Sequence, residues 1–313
     1  MTIQEIYKKF PTQKDCLEHL EYIRWKNTPV CPNCGSTNVT KFKSELRWHC
    51  NDENQSFSVL KDTIFEGTRL PLQKWFYAIH LMLSAKKGIS GMQLSRNLGV
   101  SWNTAWYTSM RIRCAMQDQS YILEGIIQSD STYVGGKPRK PNKREDDKKQ
   151  KNKRGKGTDK EQIIGYVEQK PYGKVIAKHI KKDNETLELL SLLKKNINAD
   201  RSVLVTDEGV EYTKEFDKIV QRYMVKHKKE FSSYGLNTNT IESFWAIIKR
   251  GITGQYHHLS KRYLPFYISE FAYRYNNRNN KNMFNETLDN AVEEEKCFIN
   301  MKPKKGVEAE ICA

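Results

Sequence analysis

The sequence predicts a multidomain α+β protein, in which a small cysteine-containing domain and a helical segment precede an α/β domain. Two observations carry this prediction. Three cysteines between residues 31 and 50 have a spacing typical of a metal-binding ribbon, and strand-like segments and helices follow one another from about residue 125. The 313 residues leave room for two or three domains and a large hydrophobic core.

The charge of the chain indicates a polyanionic partner. The formal net charge is +16 and the isoelectric point is about 9.4, and nucleic acid is the commonest partner of so basic a protein.

No apolar run approaches the roughly 18 residues that span a bilayer, and the charged N-terminal segment argues against a signal peptide. Seven scattered cysteines suit a reducing compartment. We therefore expect a cytoplasmic, nucleoid-associated protein that binds DNA and no membrane.

Residues 1–68 are predicted to contain a helix followed by an altered zinc ribbon. Cys31 and Cys34 form a C-x2-C pair, and Cys50 stands where a second pair would begin. The position expected for the fourth cysteine holds Glu53, and His49 is a nearby nitrogen alternative. A carboxylate can bind zinc but is a harder ligand than a thiolate, so the sequence predicts weak or partial zinc binding.

Residues 69–120 are predicted to form a helix-turn-helix region. Ser90 can cap a helix that Gly99 ends, and Ser101 can cap the helix that follows. Polar and aromatic side chains near the start of this second helix are typical of a recognition helix. The side chains expected to contact DNA are Trp102, Asn103, Thr104, Tyr107 and Arg111. An ordinary helical hairpin is the alternative.

Residues 121–285 have the element order of an α/β domain, and residues 286–313 are predicted to be a C-terminal tail. The predicted elements are strands at 125–136, 162–169 and 174–180, a helix at 184–196, a strand at 202–207 and a helix at 239–252. Three strands, a helix, a strand and further helices is the order of a ribonuclease-H-like domain.

Three carboxylates in this domain are candidate ligands for Mg²⁺. Asp130 lies near the end of the first strand, Asp207 lies at the end of the fourth, and Glu242 is in the first turn of the last helix. Active sites gather at strand ends in open α/β sheets, and clustered carboxylates repel one another unless a cation is present. Two hard cations held there can drive phosphodiester chemistry. Lys249 is two helical turns beyond Glu242 and could hold the DNA backbone.

Several long motifs strengthen this interpretation: IRWKNTPVCPNCGS, FSVLKDTIFEGTRLPLQKW, KKGISGMQLSRNLGVSWNTAW, DSTYVGGK, VTDEG, NTNTIESFWAIIKRGITGQYHHLS and EFAYRYNNR. In these motifs the chain resembles transposases of bacterial insertion sequences, in the branch that joins an N-terminal zinc ribbon to a DDE catalytic domain and is related to Merlin transposons. The resemblance implies binding of terminal inverted repeats and Mg²⁺- or Mn²⁺-dependent cleavage and strand transfer into target DNA. It also implies a homo-oligomer assembled on DNA.

The resemblance assigns catalytic roles to Asp130 and Asp207. The third ligand falls within the motif NTNTIE, where Glu242 is favoured because Lys249 accompanies it, and Asn239 is the alternative. Further contacts with DNA are expected from Lys137, Arg250, Arg274 and Arg278.

The chain departs from the family pattern beside the first catalytic residue. Relatives carry acidic residues on both sides of that aspartate, whereas this sequence has Gln128 and Ser131 at the matching positions. Lost carboxylates would weaken the electric field that holds the metals. The alternative function is therefore a catalytically decayed transposase that acts only as a DNA-binding protein.

Overall fold

The structure is a computed structural model that describes residues 1–42, 46–117, 120–135, 160–180, 184–208, 212, 214–225 and 236–293. The chain forms two compact units. The first comprises Met1–Gln117 with Asn279–Ala313, and the second comprises Asp118–Arg278. The sequence instead predicts four segments, so the structure divides the chain differently: the ribbon, the helix pair and the C-terminal helix belong to a single unit.

The first unit contains a three-stranded antiparallel sheet and six helices among its described residues. Its elements are α1 (Ile3–Lys9), α2 (Gln13–Trp25), β1 (Val39–Lys41), β2 (Trp48–Cys50), β3 (Gln55–Phe57), α3 (Leu72–Ser84), α4 (Gly91–Leu98), α5 (Trp102–Cys114) and α10 (Met283–Val292). The predicted N-terminal helix is two helices, because Pro11 separates them and a capping box begins each, at Thr2 and at Thr12.

The two helices predicted between residues 90 and 116 are present as α4 and α5. Ser90 Oγ accepts a hydrogen bond from the backbone N–H of Gln93, and Ser101 Oγ accepts one from Thr104. Gly99 ends α4 in the left-handed conformation with φ +61°, which favours glycine because it has no Cβ. These caps fix the short turn between the helices.

Helix α10 covers most of the described part of the predicted tail, residues 286–313. Its apolar face packs within the first unit, where the rings of Phe284 and Phe76 meet edge to face with centroids 6.0 Å apart. The backbone N–H of Ile64 also donates to the carbonyl of Ala291 at 3.2 Å. These contacts with residues more than two hundred positions earlier explain why α10 is a structural element of the first unit.

The second unit is built on a five-stranded mixed sheet. Its elements are β4 (Leu123–Val134), β5 (Glu161–Glu168), β6 (Val175–Ile180), α6 (Glu185–Asn196), β7 (Ile197–Thr206), α7 (Lys214–Asp217), β8 (Gln221–Met224), α8 (Asn239–Gly251) and α9 (Leu264–Asn276). The spatial order is β6-β5-β4-β7-β8, with β4–β5 and β5–β6 antiparallel and β4–β7 and β7–β8 parallel. This is the topology of a ribonuclease-H-like domain, so the predicted fold class is confirmed.

Helices cover both faces of this sheet. On one face, Leu189 and Leu193 of α6 share a buried cluster with Ile127 and Leu204. On the other face, α8 and α9 supply a second cluster that includes Val134 of β4. Because strand side chains alternate, the even-numbered residues of β4 point towards α8. This alternation places both Gln128 and Asp130 on the α8 side.

The end of α9 closes the outer edge of strand β6. The side chain of Asn276 accepts a hydrogen bond from the backbone N–H of Val175 at 2.7 Å and donates one to its carbonyl at 2.8 Å. It thereby satisfies backbone groups that an edge strand would otherwise expose. Arg278 Nη1 donates to the carbonyl of Gly173 at 3.1 Å. Much of the motif EFAYRYNNR therefore has a structural role.

Arg274 does not lie on a DNA-accessible surface, so its predicted contact with DNA is wrong. Its side chain is 6% exposed and is paired with the fully buried carboxylate of Glu270 one helical turn earlier. The hydroxyl of Tyr256 also donates to Glu270. Buried arginine needs such a partner, because an uncompensated charge in the core is costly.

Candidate functional site

Asp130 and Asp207 lie side by side on the α8 face of the sheet. Strands β4 and β7 are parallel, and their register pairs Gln128 with Val205. Each aspartate follows its paired residue by two positions, so both reach the same level of the sheet and point to the same side. Asp207 is the first residue beyond β7. The strand ends predicted to carry the site are therefore adjacent.

Helix α8 brings the third carboxylate. Glu242 lies in its first turn, is exposed, and accepts a hydrogen bond from Thr238 Oγ1 at 3.0 Å. Asn239, the alternative ligand, is the first residue of α8 and is also exposed. Its backbone N–H donates to Asn237 Oδ1 at 3.1 Å. Lys249 lies two turns beyond Glu242 and is exposed.

The electrostatics of Asp130 show that these acidic residues interact. Burial, with the negative charges of Asp207 and Glu242, raises the pKa of Asp130 to about 7. Two hydrogen bonds act in the opposite direction. The backbone N–H of Ser131 donates to Oδ1 at 2.7 Å, and Trp245 Nε1 donates to Oδ2 at 3.0 Å. Asp130 is thus a partly buried carboxyl group whose ionisation is disfavoured by two nearby negative charges.

The donor set of this site fits a hard divalent cation. All three candidate ligands offer carboxylate oxygen, which Mg²⁺ and Mn²⁺ prefer, and their mutual repulsion is what a bound cation relieves. In the residues that the structure describes, the oxygens of Asp130, Asp207 and Glu242 are not all within 4.8 Å of one another. The three side chains form an open cluster.

Gln128, one of the departures from the family pattern, joins β4 to the start of α8. It is fully buried, and its Nε2 donates to Gln169 Oε1 at 3.0 Å and to Asn237 Oδ1 at 3.2 Å. Its Oε1 accepts from the backbone N–H of Ile241 at 3.0 Å. A carboxylate at this position could accept but not donate. The network therefore suits an amide.

The altered ribbon assembles a second candidate metal site. One ligand atom from each of Cys31, Cys34, Cys50 and Glu53 lies within 4.8 Å of the other three. Cys34 Sγ and Cys50 Sγ are 3.6 Å apart, and Cys31 Sγ is 3.8 Å from Glu53 Oε2. Two sulfurs bound to one tetrahedral zinc would lie about 3.8 Å apart. The four side chains, Glu53 included, therefore fit a zinc ion.

The surroundings of the ribbon favour Glu53 over His49 as the fourth ligand. His49 is next to Cys50 on β2, so its side chain points to the opposite face, where its ring lies 6.0 Å from that of Phe42. The carboxylate of Asp52 accepts hydrogen bonds from the side chains of Ser36 and Asn38. This connection ties the loop after Cys50 to the loop that carries the first cysteine pair.

The start of α5 presents the predicted DNA-contact residues to solvent. Trp102, Asn103 and Thr104 are exposed, and Tyr107 is half-buried. Trp102 is 47% exposed although its ring stacks on that of Trp106, with centroids 6.2 Å apart. An exposed aromatic side chain at a helix N-terminus is available to a partner.

Arg111 was predicted to contact DNA, and the structure places it in the interior of the first unit. It is 5% exposed, and its guanidinium donates to the carbonyl of Glu66 at 2.7 Å and lies over the rings of Trp75 and Tyr107. Burial is the physical reason for the correction, because the hydrogen bond and ring contacts hold the side chain away from solvent. Arg111 connects α5 to the segment before α3.

Arg250 and Lys137 are also predicted to contact DNA, and the structure describes only the first of them. Arg250 is exposed on α8, and its Nε donates to the carbonyl of Ala246 at 3.0 Å. Lys137 and nearly all of the basic segment after it lie outside the residues that the structure describes. No helix in the described part of the chain is long and apolar enough to cross a membrane.

Two positions near the carboxylates were not singled out from the sequence. Trp245 supplies one of the hydrogen bonds to Asp130, and Gly165 lies opposite Asp130 in the pairing of β4 with β5. The spacing of Trp245, three residues after Glu242 on one helical face, is the signal that could have indicated the first. No sequence pattern around Gly165 indicates that this residue lies opposite Asp130.

Comparison with known proteins identifies the class. Residues 122–276 match the family model of the ISXO2-like transposase domain, and residues 11–65 match that of the transposase zinc-ribbon domain. The fold and both matches define a transposase. More specifically, the chain belongs to the insertion-sequence transposases that join a zinc ribbon to a DDE domain, which confirms the resemblance seen in the sequence motifs.

The chain is also similar to a protein of a transposable element and, remotely, to two solved transposase complexes. An uncharacterized protein in transposable element ISH50 of Halobacterium salinarum is 26% identical over 283 residues, which cover 85% of this chain and 92% of that protein. A pre-cleavage Mos1 transpososome aligns with 71% of this chain and 79% of that chain at 10% identity, with a TM-score of 0.26. A Mos1 strand transfer complex aligns with 62% and 77% at 13% identity, with a TM-score of 0.21. TM-scores this low support no argument about the fold. The fold assignment therefore depends on the strand order and strand pairing of the five-stranded sheet.

Proposed function

We propose that this transposase binds the terminal inverted repeats of its element and cleaves and rejoins DNA at a centre formed by Asp130, Asp207 and Glu242. The observation that carries the proposal is the parallel register of β4 and β7, which brings two aspartates from distant parts of the sequence to one level of the sheet. Helix α8 then presents Glu242 on the same side. Such convergence is difficult to explain by stability, because neighbouring anions repel one another.

The chain's own groups have distinct roles in this proposal. Asp130, Asp207 and Glu242 hold Mg²⁺ or Mn²⁺, which when bound activates the attacking oxygen and stabilises the departing oxygen of a phosphodiester. Lys249 and Arg250, exposed on α8, contact the DNA backbone and keep the scissile phosphate beside the carboxylates. Mg²⁺ and Mn²⁺ share the preference for oxygen ligands, so the structure favours neither.

The first unit is proposed to recognise DNA. Trp102, Asn103 and Thr104 at the exposed start of α5 are placed to contact bases or backbone, and Tyr107 lies one turn further along. The ribbon is proposed to hold zinc through Cys31, Cys34, Cys50 and Glu53, more weakly than four cysteines would. Pairing of two element ends requires more than one active site, so we propose a homo-oligomer on DNA, with nucleoid association following from the substrate.

A nicking assay tests catalysis against the decayed alternative. Full-length protein is mixed with a duplex that carries the element's own terminal repeat, with and without added Mg²⁺ or Mn²⁺, and a duplex with a scrambled repeat is the control. We expect metal-dependent nicks at the repeat end. Specific binding without nicks under either metal would support a transposase that has lost catalysis.

The same assay identifies the third ligand. Glu242→Gln keeps the shape of the side chain and removes its charge, and we expect it to abolish nicking while DNA binding is retained. Asn239→Ala is expected to keep most of the activity. The opposite pattern would assign the third position to Asn239.

A further inference from the structure

The indole of Trp245 makes a directed contact with Asp130. Trp245 is three residues beyond Glu242 on α8, its side chain is 3% exposed, and its Nε1–H donates to Asp130 Oδ2. The backbone N–H of Ser131 donates to the other oxygen, Oδ1. A carboxylate has about four acceptor sites on its two oxygens. The two N–H groups therefore orient the carboxylate and leave acceptor sites for a cation.

The sheet is shaped to admit this indole. Gly165 of β5 lies directly opposite Asp130 of β4. A Cβ at position 165 would lie 3.0 Å from Trp245 Cη2 and 2.7 Å from the carbonyl oxygen of Ile176. The distance to the indole is tighter than an ordinary contact, and the distance to the carbonyl oxygen is too short for any, so a side chain at position 165 would require the ring and the strand to shift. Glycine inside a strand is destabilising relative to alanine, and it is typical of places where another group approaches closely.

We propose that Trp245 is a positioning residue that holds the Asp130 carboxylate in the orientation that binds the divalent cation, and that Gly165 provides the space for its ring. This inference rests on the proposed function. Phenylalanine would fill the same part of the core, which already contains Phe244 and Phe271. The indole differs in presenting an N–H to Asp130, and this is the property that the proposal requires.

A purely structural role makes a different prediction. A buried indole N–H needs an acceptor, and Asp130 would then serve only to satisfy Trp245. Removing the N–H would change stability under that role and leave cation binding unchanged. Cation affinity, measured separately from stability and from activity, distinguishes the two.

The experiment compares Mn²⁺ affinity in Trp245→Phe and in the parent protein. Zinc-loaded, full-length protein is titrated with Mn²⁺, and free Mn²⁺ is followed by its electron paramagnetic resonance signal, with thermal unfolding measured in parallel. We expect the Phe variant to bind Mn²⁺ about 10- to 100-fold more weakly, the loss typical when a group that orients a metal ligand is removed. Unchanged affinity would overturn the proposal.

Two control variants make the result specific. Phe271→Leu removes buried volume from the same cluster without touching Asp130, so it should lower the unfolding temperature and leave Mn²⁺ affinity as in the parent. Asp130→Ala should abolish high-affinity binding. If Asp130→Ala has no effect, the proposed metal centre itself is wrong; if it weakens binding and Trp245→Phe does not, only the role of Trp245 is wrong.

A measurement on the parent protein covers the case in which Trp245→Phe does not fold. Bound Mn²⁺ broadens nearby nuclear magnetic resonance signals, and this chain has six tryptophan indole N–H groups. We expect one indole N–H signal to disappear first during a Mn²⁺ titration, and the same titration to leave that signal sharp when Mg²⁺ is added in excess beforehand. Broadening of all six signals together, or of none, would count against the proposal.

Discussion

Asp130 of β4 and Asp207, the first residue after the adjacent parallel strand β7, each lie two residues beyond the pair formed by Gln128 and Val205. Backbone pairing therefore sets their separation. Because the strands are held in the sheet, the two carboxylates cannot easily move apart to relieve their repulsion. The same arrangement that would prepare a cation site makes this region electrostatically unfavourable when no cation is bound.

The first prediction concerns pH. Burial and the neighbouring anions raise the pKa of Asp130 from 3.8 to about 7 in the folded protein. Between about pH 4 and pH 7, Asp130 is more often protonated in the folded protein than in the unfolded chain. The contribution of Asp130 to the free energy of unfolding therefore falls as the pH rises. We expect Asp130→Asn to gain stability relative to the parent as the pH rises from about 4 to about 7, as measured by thermal unfolding without added Mg²⁺.

Addition of Mg²⁺ provides the control for that prediction. The cation should stabilise the parent at about pH 8 and have little effect on Asp130→Asn, because binding to the folded state alone shifts the unfolding equilibrium. An unfolding temperature with the same pH dependence in both proteins would contradict the assignment of the shift to Asp130.

The second prediction concerns the departure at Gln128. Gln128→Glu replaces a donor with an acceptor opposite Gln169 and Asn237 and adds a negative charge two residues from Asp130. We expect a loss of roughly 1–3 kcal/mol in the free energy of unfolding at neutral pH, measured by chemical denaturation. A Gln128→Glu variant that is more stable than the parent would show that the hydrogen bonds of the Gln128 amide contribute little to the free energy of unfolding.

The third prediction concerns zinc. Glu53→Cys should bind zinc at least about tenfold more tightly than the parent, because thiolate is the softer ligand, and Glu53→Ala should bind it more weakly. Zinc content after purification and competition with a chromophoric chelator measure both changes. Full and equal occupancy in the parent and in Glu53→Cys would show that the ribbon is not weakened.

The fourth prediction separates the two kinds of α5 residue. Arg111→Ala should destabilise the protein by on the order of 2 kcal/mol, because it breaks a charged hydrogen bond to the carbonyl of Glu66 and its ring contacts. Asn103→Ala should leave the unfolding temperature unchanged and reduce affinity for the terminal repeat in a fluorescence anisotropy titration. A large stability loss in Asn103→Ala, or none in Arg111→Ala, would reverse these roles.

The sequence was sufficient to predict the elements with strong local patterns. The strands β4 to β7 and the helix between them have apolar residues at the periods expected for buried elements, and the caps at Ser90 and Ser101 mark α4 and α5. Strand β8 was not predicted, because its four residues are mostly exposed and show no alternation. It forms through parallel pairing with β7, which no local pattern encodes.

Site residues whose roles depend on distant partners were the ones that the sequence did not predict. Arg111 resembled a DNA-facing cation because its partner, Glu66, lies 45 residues away. Gln128 was predicted to mark a weakened site, yet its contact at Ile241 is 113 residues distant. The carboxylates themselves were predictable as strand-end acids, whereas their register required the sheet.

The most direct test of the account compares two aspartates of the same region in the metal-dependent nicking assay. Asp207→Asn removes a proposed ligand, and Asp200→Asn changes an exposed aspartate within β7. We predict that Asp207→Asn lowers nicking by on the order of 100-fold or more with DNA binding retained, because a lost metal ligand removes several kcal/mol of transition-state stabilisation. Asp200→Asn should cut like the parent. Nicking by Asp207→Asn at the rate of the parent would contradict the account.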